Sequence, residues 1–221
     1  MLNYKTHLRV LVPSLILATS LSTVEARDGF SLGTQTSNAT FGHTIERNTG
    51  TNETPSLTSS TEESDIAFGL IAGYQFHVTD DFFLGVEAFY NEENIETRNL
   101  NNLLITELEL NNSYGVNLKA GVDVNDRFSV YALLGQTTLD FDINNSYPFA
   151  PPLRDGETDV DEITFGIGAE YEITDSWSFT ARYTQLNDVS FDPLPEVAVP
   201  GKINDNEVDY SALSFGVNFN F

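Results

Sequence analysis

The residue type best suited to acid–base or nucleophilic chemistry in this chain is histidine. Beyond the N-terminal segment there are two, His43 and His77. A catalytic nucleophile needs a positioned base and a group that orients that base. His43 opens a polar stretch and has no serine and carboxylate at a spacing that predicts such an arrangement, and His77 stands beside a predicted short turn, away from the side on which a lipid substrate would lie. We therefore expect no catalytic site, no enzyme activity and no cofactor.

A run of carboxylates between residues 155 and 162 has the side chains that calcium prefers. It contains Asp155, Glu157, Asp159, Asp161 and Glu162. The run lacks the spacing of an EF-hand, in which a glycine follows the third ligand and a glutamate closes the loop. A solvated acidic loop is therefore expected, with no dedicated metal site; Asp155, Glu157 and Asp159 are the weak candidates.

Four charged residues, Glu87, Lys119, Glu170 and Arg182, stand within otherwise apolar or small-residue segments. Two are acidic and two are basic, so they could form ion pairs. Whether they meet depends on the elements that carry them, which the surrounding residues predict.

The sequence segments around these charged residues, and others like them, alternate between apolar residues and polar or small residues. This period of two is that of a β-strand with one apolar face. The apolar positions are Ile66, Phe68, Leu70, Ala72, Tyr74, Phe76; Tyr114, Val116, Leu118, Ala120, Val122, Val124; Ile163, Phe165, Ile167, Ala169, Tyr171, Ile173; and Leu213, Phe215, Val217, Phe219, Phe221.

A short motif occurs three times between such segments, at Val78–Phe82, Val124–Phe128 and Ile173–Trp177. Each copy has a β-branched residue, a polar residue, Asp, any residue and an aromatic. Asp and Asn suit tight turns because their side chains cap nearby backbone groups. Three turns flanked by strands give six strands, and Phe30–Phe41 and Asp209–Phe221 add two.

Longer polar stretches, at about 42–64, 92–110, 140–161 and 186–208, separate these units and hold most of the acid. Short turns on one side and long loops on the other are typical of an outer-membrane barrel. The predicted fold is all-β: an eight-stranded antiparallel transmembrane up-and-down β-barrel with short periplasmic turns and long extracellular loops. A soluble barrel or sandwich that buries the apolar face is the alternative.

The N-terminus has the order of a signal peptide: Lys5 and Arg9, then an apolar run over residues 10–21, then small residues up to Ala26. That run is too short to span a bilayer, which takes roughly 20 helical residues. We expect residues 1–26 to be cleaved during export and residues 27–221 to form the barrel domain in the cell outer membrane.

Composition limits the partners. The formal net charge of −23 disfavours nucleic acid and bare anionic lipid. The chain has no cysteine, which removes disulfides and thiolate sites. The expected partners are outer-membrane lipid and lipopolysaccharide, with which acidic loops could share divalent cations, and the barrel-assembly machinery. A monomer is expected.

If the apolar face of each strand meets lipid, Glu87, Lys119, Glu170 and Arg182 all point into the lumen. A lysine or arginine on the lipid side would cost roughly 2–4 kcal/mol at the midplane. An eight-stranded barrel is just wide enough inside for side chains. We therefore expect a lumen ion-pair network, with Glu87–Lys119 and Glu170–Arg182 as neighbouring-strand pairs and exchange across the lumen as the alternative.

Together, the signal peptide, the eight strands, the aromatic C-terminus and the inward Glu, Lys, Glu, Arg set resemble the transmembrane domain of the OmpA family and the related OmpX/Ail group of small barrels. The resemblance covers nearly the whole mature chain. It implies an interior ion network that plugs the pore or lets it open intermittently. The last strand, with Phe215, Val217, Phe219 and Phe221, resembles the signal that such proteins present to the assembly machinery.

Surface binding or adhesion through the outer loops is the function that we expect. Leu104, Leu108 and Leu110 keep the outward parity of Leu118. This predicts that the third and fourth strands extend as an exposed ribbon able to bind an extracellular ligand by strand pairing. Loops that only shield the barrel mouth are the structural alternative. A narrow porin-like channel for small solutes or ions is the functional one.

Overall fold

The chain folds into one closed antiparallel β-sheet. The computed structural model describes residues 28–47, 57–101, 104–146, 156–186, 189–191 and 203–221. The strands are β1 (Gly29–Arg47), β2 (Leu57–His77), β3 (Phe82–Asn101), β4 (Leu104–Asn125), β5 (Phe128–Ser146), β6 (Gly156–Thr174), β7 (Trp177–Leu186), β8 (Val189–Phe191) and β9 (Ile203–Asn220). Sequence neighbours pair, and β1 pairs with β9. Because β7 and β8 both pair with β9, the barrel has eight strand positions, as predicted.

The lower part of the barrel presents an apolar band to its surroundings. On β2 the band runs from Ile66 to Phe76, which is eleven residues and matches the about 9–11 that a tilted strand needs to cross a membrane. Its side chains are strongly exposed, Phe68 at 66% and Ile167 at 67%. Water-soluble proteins rarely expose apolar patches of this size. The band ends upward at Tyr90, Tyr114 and Tyr183 and downward at Phe82, Phe128 and Trp177.

The band identifies the fold as transmembrane. No helix in the described part of the chain has the length and apolarity to span a bilayer.

Above the band the barrel divides into two facing sheets. β2 and β3 pair only from Phe68 and Glu92 downward, and β6 and β7 only from Thr164 and Leu186 downward. We call the upper parts of β3–β6 the front sheet, and those of β8, β9, β1 and β2 the back sheet. Together they form the upper sandwich. Between them lies an apolar core of Ala39, Phe41, Ile95, Leu108, Leu110, Leu139, Phe141, Ile143, Leu186, Val208, Tyr210 and Ala212.

The upper sandwich corrects the predicted loop boundaries. Within the described residues, most of the stretches 42–64, 92–110 and 140–161 are paired strand. They look like loops in the sequence because their outward side chains are polar. Apolar side chains of the stretches 92–110 and 140–161 point inward and form much of the sandwich core, and one of them, Phe141, packs against Phe41 with ring centroids 5.3 Å apart. The described strands therefore extend well into the stretches that were predicted to be loops.

Bulges at the base of the front sheet overturn a second prediction. Asn111 is an extra residue of β4 relative to β5, and β3 has its own bulge at Glu93 and Asn94, where Asn94 adopts a φ of 124°. One extra residue reverses which side chains face inward. Leu108 and Leu110 are therefore buried in the sandwich core, at 1% and 0% exposure. The prediction that they face outward on a ribbon is wrong, and the side chain of Leu104 lies outside the described residues.

The three short turns form where the repeated motif predicts them, but a different residue caps them. The second residue of each motif, not the aspartate, accepts a hydrogen bond from the amide of the aromatic residue three positions later. These bonds are Phe82 N to Thr79 Oγ1 at 3.0 Å, Phe128 N to Asn125 Oδ1 at 3.1 Å and Trp177 N to Thr174 Oγ1 at 3.2 Å. The repeat is therefore a capping motif.

Replacing Thr174 with valine should lower the free energy of unfolding by about 1 kcal/mol, because the amide of Trp177 loses its acceptor. Equilibrium urea unfolding in lipid vesicles measures this change. Asp175→Asn in the same exposed turn is the matched control and should have almost no effect. Equal destabilisation by both variants would contradict the capping role of the threonine.

Candidate functional site

Two ion pairs cross the lumen within the membrane band. Lys119 Nζ on β4 lies 2.6 Å from Glu170 Oε2 on β6. Arg182 on β7 donates through Nη1 to Glu87 Oε1 on β3. All four side chains are buried. The structure thus forms the cross-lumen pairs and not the neighbouring-strand pairs, because these long side chains reach over the narrow interior.

Each pair has further polar partners that sequence reasoning did not identify. Glu170 accepts a hydrogen bond from Ser178 at 2.6 Å, and Glu87 accepts one from Asn117 at 3.1 Å. Lys119 donates to Gln75 at 3.2 Å. Ser178 has the same inward parity as Arg182, and Asn117 that of Lys119, so the alternation could have indicated both.

Aromatic rings complete the surroundings of Lys119. Its ammonium lies 4.3 Å from the ring centre of Tyr131, a cation–π contact. The ring fits because Gly168 faces it: a Cβ at this position would lie only 2.5 Å from the Tyr131 ring. The inward glycine therefore gives the aromatic ring its place beside the cation.

Small cavities lie on either side of Arg182. The lower one is lined by Lys119, Glu170 and residues of the periplasmic rim. The upper one is lined by Gln35, Asn117 and other polar side chains, and Tyr210 from the sandwich core also lines it. Each has a volume of about 30 Å³, enough for about one or two water molecules. Arg182 lines both cavities, so the ion-pair network stands between them.

A buried carboxylate, Glu93, lies above the band at the base of the upper sandwich. It is 2% exposed. Its Oε1 accepts hydrogen bonds from Ser113 at 2.6 Å and from Tyr210 at 2.7 Å. Burial raises the pKa of the Glu93 carboxyl above its usual value, and the two hydrogen bonds lower it only in part. No cationic side chain among the described residues forms an ion pair with it.

The periplasmic rim holds a second polar cluster. His77, the last residue of β2, places Nδ1 2.5 Å from Asp28 and Nε2 2.9 Å from Asp123. Ser129 donates to the other oxygen of Asp123 at 2.6 Å. In a catalytic triad the histidine lies between the serine and the acid. Here the aspartate lies between them, so the imidazole cannot accept the proton of the serine hydroxyl. His43 is buried in the upper sandwich.

The outer face of the front sheet is densely acidic. Glu96, Glu109, Asp142 and Glu157 lie directly opposite one another on four successive strands. Asp140 and Asp159 form a second such pair. Like charges that lie directly opposite one another on neighbouring strands destabilise a sheet.

The weak metal candidates lie on this acidic face. Glu157 and Asp159 are exposed there, while Asp155 lies outside the described residues. Burial raises the pKa of the Asp159 carboxyl, and the charges of Asp140 and Asp161 raise it further. No group of three or more potential ligands for a metal ion occurs among the residues that the structure describes.

The predicted assembly residues lie on the outer face of β9. Phe215, Val217 and Phe221 are exposed. Phe219 packs against Trp177 with ring centroids 5.1 Å apart. β9 lies between β7 and β1 and so closes the barrel.

Comparison with known proteins agrees with this architecture. The family model described as outer membrane protein beta-barrel domain matches residues 10–221. The chain belongs to this family. The barrel is therefore an outer-membrane protein, and its apolar band faces the lipid of that membrane.

Solved structures of other outer-membrane barrels are similar in fold. Ail, the attachment invasion locus protein of Yersinia pestis, is 14% identical, with 87% of this chain and 99% of Ail covered and a TM-score of 0.45. OprG from Pseudomonas aeruginosa is 13% identical, with 90% and 99% covered and a TM-score of 0.47. Neisserial surface protein A is 16% identical, with 87% and 97% covered and a TM-score of 0.43. No curated protein matches the chain by sequence.

Removing one partner of a lumen ion pair should destabilise this outer-membrane barrel strongly. Lys119→Met leaves Glu170 buried without its cation, so we expect a loss of about 3–5 kcal/mol in the free energy of unfolding. The double variant Lys119→Met/Glu170→Gln removes both charges and should recover much of the loss. Urea unfolding measures the free energy of unfolding of the two single variants and of the double variant. If the loss in the double variant equalled the sum of the losses for Lys119→Met and Glu170→Gln, the pairing would be contradicted.

Glu93→Gln should stabilise the barrel more at high pH than at low pH. A carboxyl whose folded-state pKa is raised contributes stability that is present below its usual pKa and is lost as pH rises through the raised value. The glutamine variant lacks this loss. The difference in melting temperature between variant and parent should therefore grow as the pH rises above the usual range of a carboxyl pKa. A difference that is constant with pH would show that Glu93 does not titrate over the pH range measured.

Proposed function

We propose that this outer-membrane barrel is non-enzymatic, that its lumen is plugged, and that it binds partners at the cell surface through the upper sandwich. The observation that carries the proposal is the pair of barriers along the axis. The ion-pair network fills the barrel at the depth of Arg182, and the apolar sandwich core lies above the upper cavity. A hydrated solute meets charged side chains in tight pairs and then a dry core, and both must open for transport.

The surface role rests on the outer face of the front sheet. The opposed carboxylates of this face repel one another. A bound cationic partner is attracted to them and also reduces the repulsion between them. Arg98, paired with Glu107 at 3.3 Å, is the one cation among the described residues of this sheet. A polyanionic ligand such as a sulfated polysaccharide is disfavoured. The expected partner is therefore a cationic protein segment or polyamine.

Several further assignments belong to this proposal. The N-terminal residues 1–26 direct export and are cleaved. The barrel-assembly machinery recognises the apolar face of β9 with Phe215, Val217, Phe219 and Phe221. The monomeric barrel contacts outer-membrane lipid and lipopolysaccharide, and the acidic face can share divalent cations with lipopolysaccharide phosphates. The Ser129–Asp123–His77 order supports the absence of catalysis at the periplasmic rim.

Planar-bilayer recording tests the plug. The protein should show no stable open-channel current. The two small cavities are separated by the ion-pair network and do not form a continuous water-filled path for ions among the described residues. A steady, long-lived open current would instead support a narrow porin-like channel. Purified protein refolded in the same lipid, with heat-modifiable migration as the check of folding, ensures that silence is not the result of unfolded material.

Binding of poly-lysine to the barrel in lipid nanodiscs tests the surface role. A variant with Glu96→Gln, Glu109→Gln, Asp142→Asn and Glu157→Gln should bind at least about tenfold more weakly, since it lacks the central row of charge. The matched control neutralises four exposed aspartates of the periplasmic turns, Asp80, Asp81, Asp126 and Asp175. Equal losses in the two variants would indicate attraction by net charge alone and would contradict a role for the sandwich.

A further inference from the structure

A stripe of polar side chains runs along the lipid-facing side of β1. Thr34, Thr36 and Asn38 are exposed at three successive outward positions of this strand. Both neighbouring strands have exposed apolar residues directly opposite these positions, namely Leu70, Phe68 and Ile66 on β2 and Val217, Phe215 and Leu213 on β9. The stripe therefore lies within the apolar band, at the end of the band that is nearest to the upper sandwich.

The polar groups of this stripe are unpaired within the described part of the chain. No hydrogen bond joins the side chain of Thr34, Thr36 or Asn38 to another residue there. Hydrocarbon offers no water to replace the missing bond, so an unpaired hydroxyl inside the band costs free energy. A ligand that brings a hydrogen-bonding group to the depth of the two threonines removes that cost.

The stripe also forms the floor of a groove. Threonine is shorter than the apolar side chains on either side, and a concave space of about 650 Å³ lies over Thr34 and Thr36. Its walls are Phe68 and Leu70 on β2 and Phe215 and Val217 on β9. The two wall strands are separated by two strand spacings, roughly 10 Å. An extended alkyl chain fits between their side chains, whereas an α-helix, about 10–12 Å across with its side chains, does not.

The depth and width of the groove decide between possible occupants. A second barrel would approach with a convex wall, which rests on the rims of the groove and leaves the threonines unpaired. A lipid of the outer leaflet lays an alkyl chain along the groove and places the polar linkage of that chain near the upper end of the band, beside the stripe. Lipopolysaccharide has the matching chemistry, because its acyl chains carry hydroxyl groups and amide linkages close to the sugar.

The charge at the mouth of the groove separates recognition of the chain from recognition of the headgroup. Glu92 lines the groove at its upper end. This carboxylate repels a phosphate group at close range. The groove therefore selects the acyl chain and its polar linkage, and it gives no direct attraction for the phosphates of the same lipid.

We propose that the groove over β1 binds one acyl chain of lipopolysaccharide, with the hydroxyls of Thr34 and Thr36 bonded to the hydroxyl and amide groups at the start of that chain. This inference rests on the proposed contact with lipopolysaccharide and assigns it a site. It is independent of the binding of cationic partners by the acidic face. The apolar walls supply contact area, and the threonines supply selectivity for a hydroxylated chain.

The test uses the folded barrel in detergent micelles and two synthetic glucosamine lipids with the same uncharged headgroup. Their amide-linked chains are identical except that one lipid carries a hydroxyl group on the third carbon and the other does not. By native mass spectrometry, the barrel should retain the hydroxylated lipid at least about threefold more, as expected for one added hydrogen bond within a membrane. Equal retention of the two lipids, or of neither, would overturn the proposal.

Matched variants locate the site. Thr34→Val and Thr36→Val together keep the shape of the groove but remove both hydroxyls, so they should abolish the preference for the hydroxylated lipid. The control is Gln136→Leu on β5, which removes a lipid-facing polar group that lies outside the groove between Val116 and Ile163. This control should retain the preference, and its loss in both variants or in neither would overturn the assignment to β1.

A third variant tests the shape of the groove. Thr36→Phe fills the floor between the two walls and should reduce the retention of both glucosamine lipids, with heat-modifiable migration as the check of folding. Unchanged retention would place lipid binding elsewhere and overturn the proposal. If purified lipopolysaccharide binds the parent and all variants equally, the proposed contact with this lipid holds, but the groove is not its site.

Discussion

The medium that each outward face meets governs this structure. Within the band the outward side chains contact hydrocarbon, so polar groups must turn inward, where they pair across the lumen. Above the band the outward side chains meet water, and the same strands reverse their chemistry. On β1 the inward positions change from Gln35 and Ser37 to Ala39 and Phe41 without any change in register. One continuous wall therefore encloses a polar interior below and an apolar interior above.

This reversal explains why the two halves are stabilised differently. In the lower half, charges removed from water are acceptable only because each has a partner and further hydrogen bonds, as Glu170 has with Lys119 and Ser178. In the upper half, ordinary burial of apolar side chains holds the front and back sheets together. The boundary between the two is where the bulges, the buried Glu93 and the ends of two strand pairings occur together. A closed barrel becomes a sandwich at the place where its solvent changes.

Much of the lower half follows from the sequence because lipid imposes a strict alternation. The strand count, the three turns and the inward parity of Glu87 and Arg182 can all be derived from it. The upper half could not be derived in the same way. Polar outward residues resemble loop, and a single extra residue at Asn111 turns Leu108 and Leu110 inward with no local signal in the sequence. The strand count predicts a narrow lumen and allows pairing across it, but which carboxylate each cation reaches depends on the conformations of the side chains, which the alternation does not predict. The turn cap at Thr174 was visible as a repeat, but its role needed the geometry.

The unbroken strands between sandwich and membrane have a mechanical consequence. β4 and β5 pair with each other along their whole length, from the upper sandwich to the periplasmic turn at Asn125 and Phe128, with two bulges. A pull on the outer tip along the strand axis loads the whole ladder in shear, so many hydrogen bonds share the force at once. Peeling them one after another would need a force at right angles. Continuous paired strands thus connect the upper sandwich to the membrane-spanning part, so a force along the strand axis is shared by many hydrogen bonds.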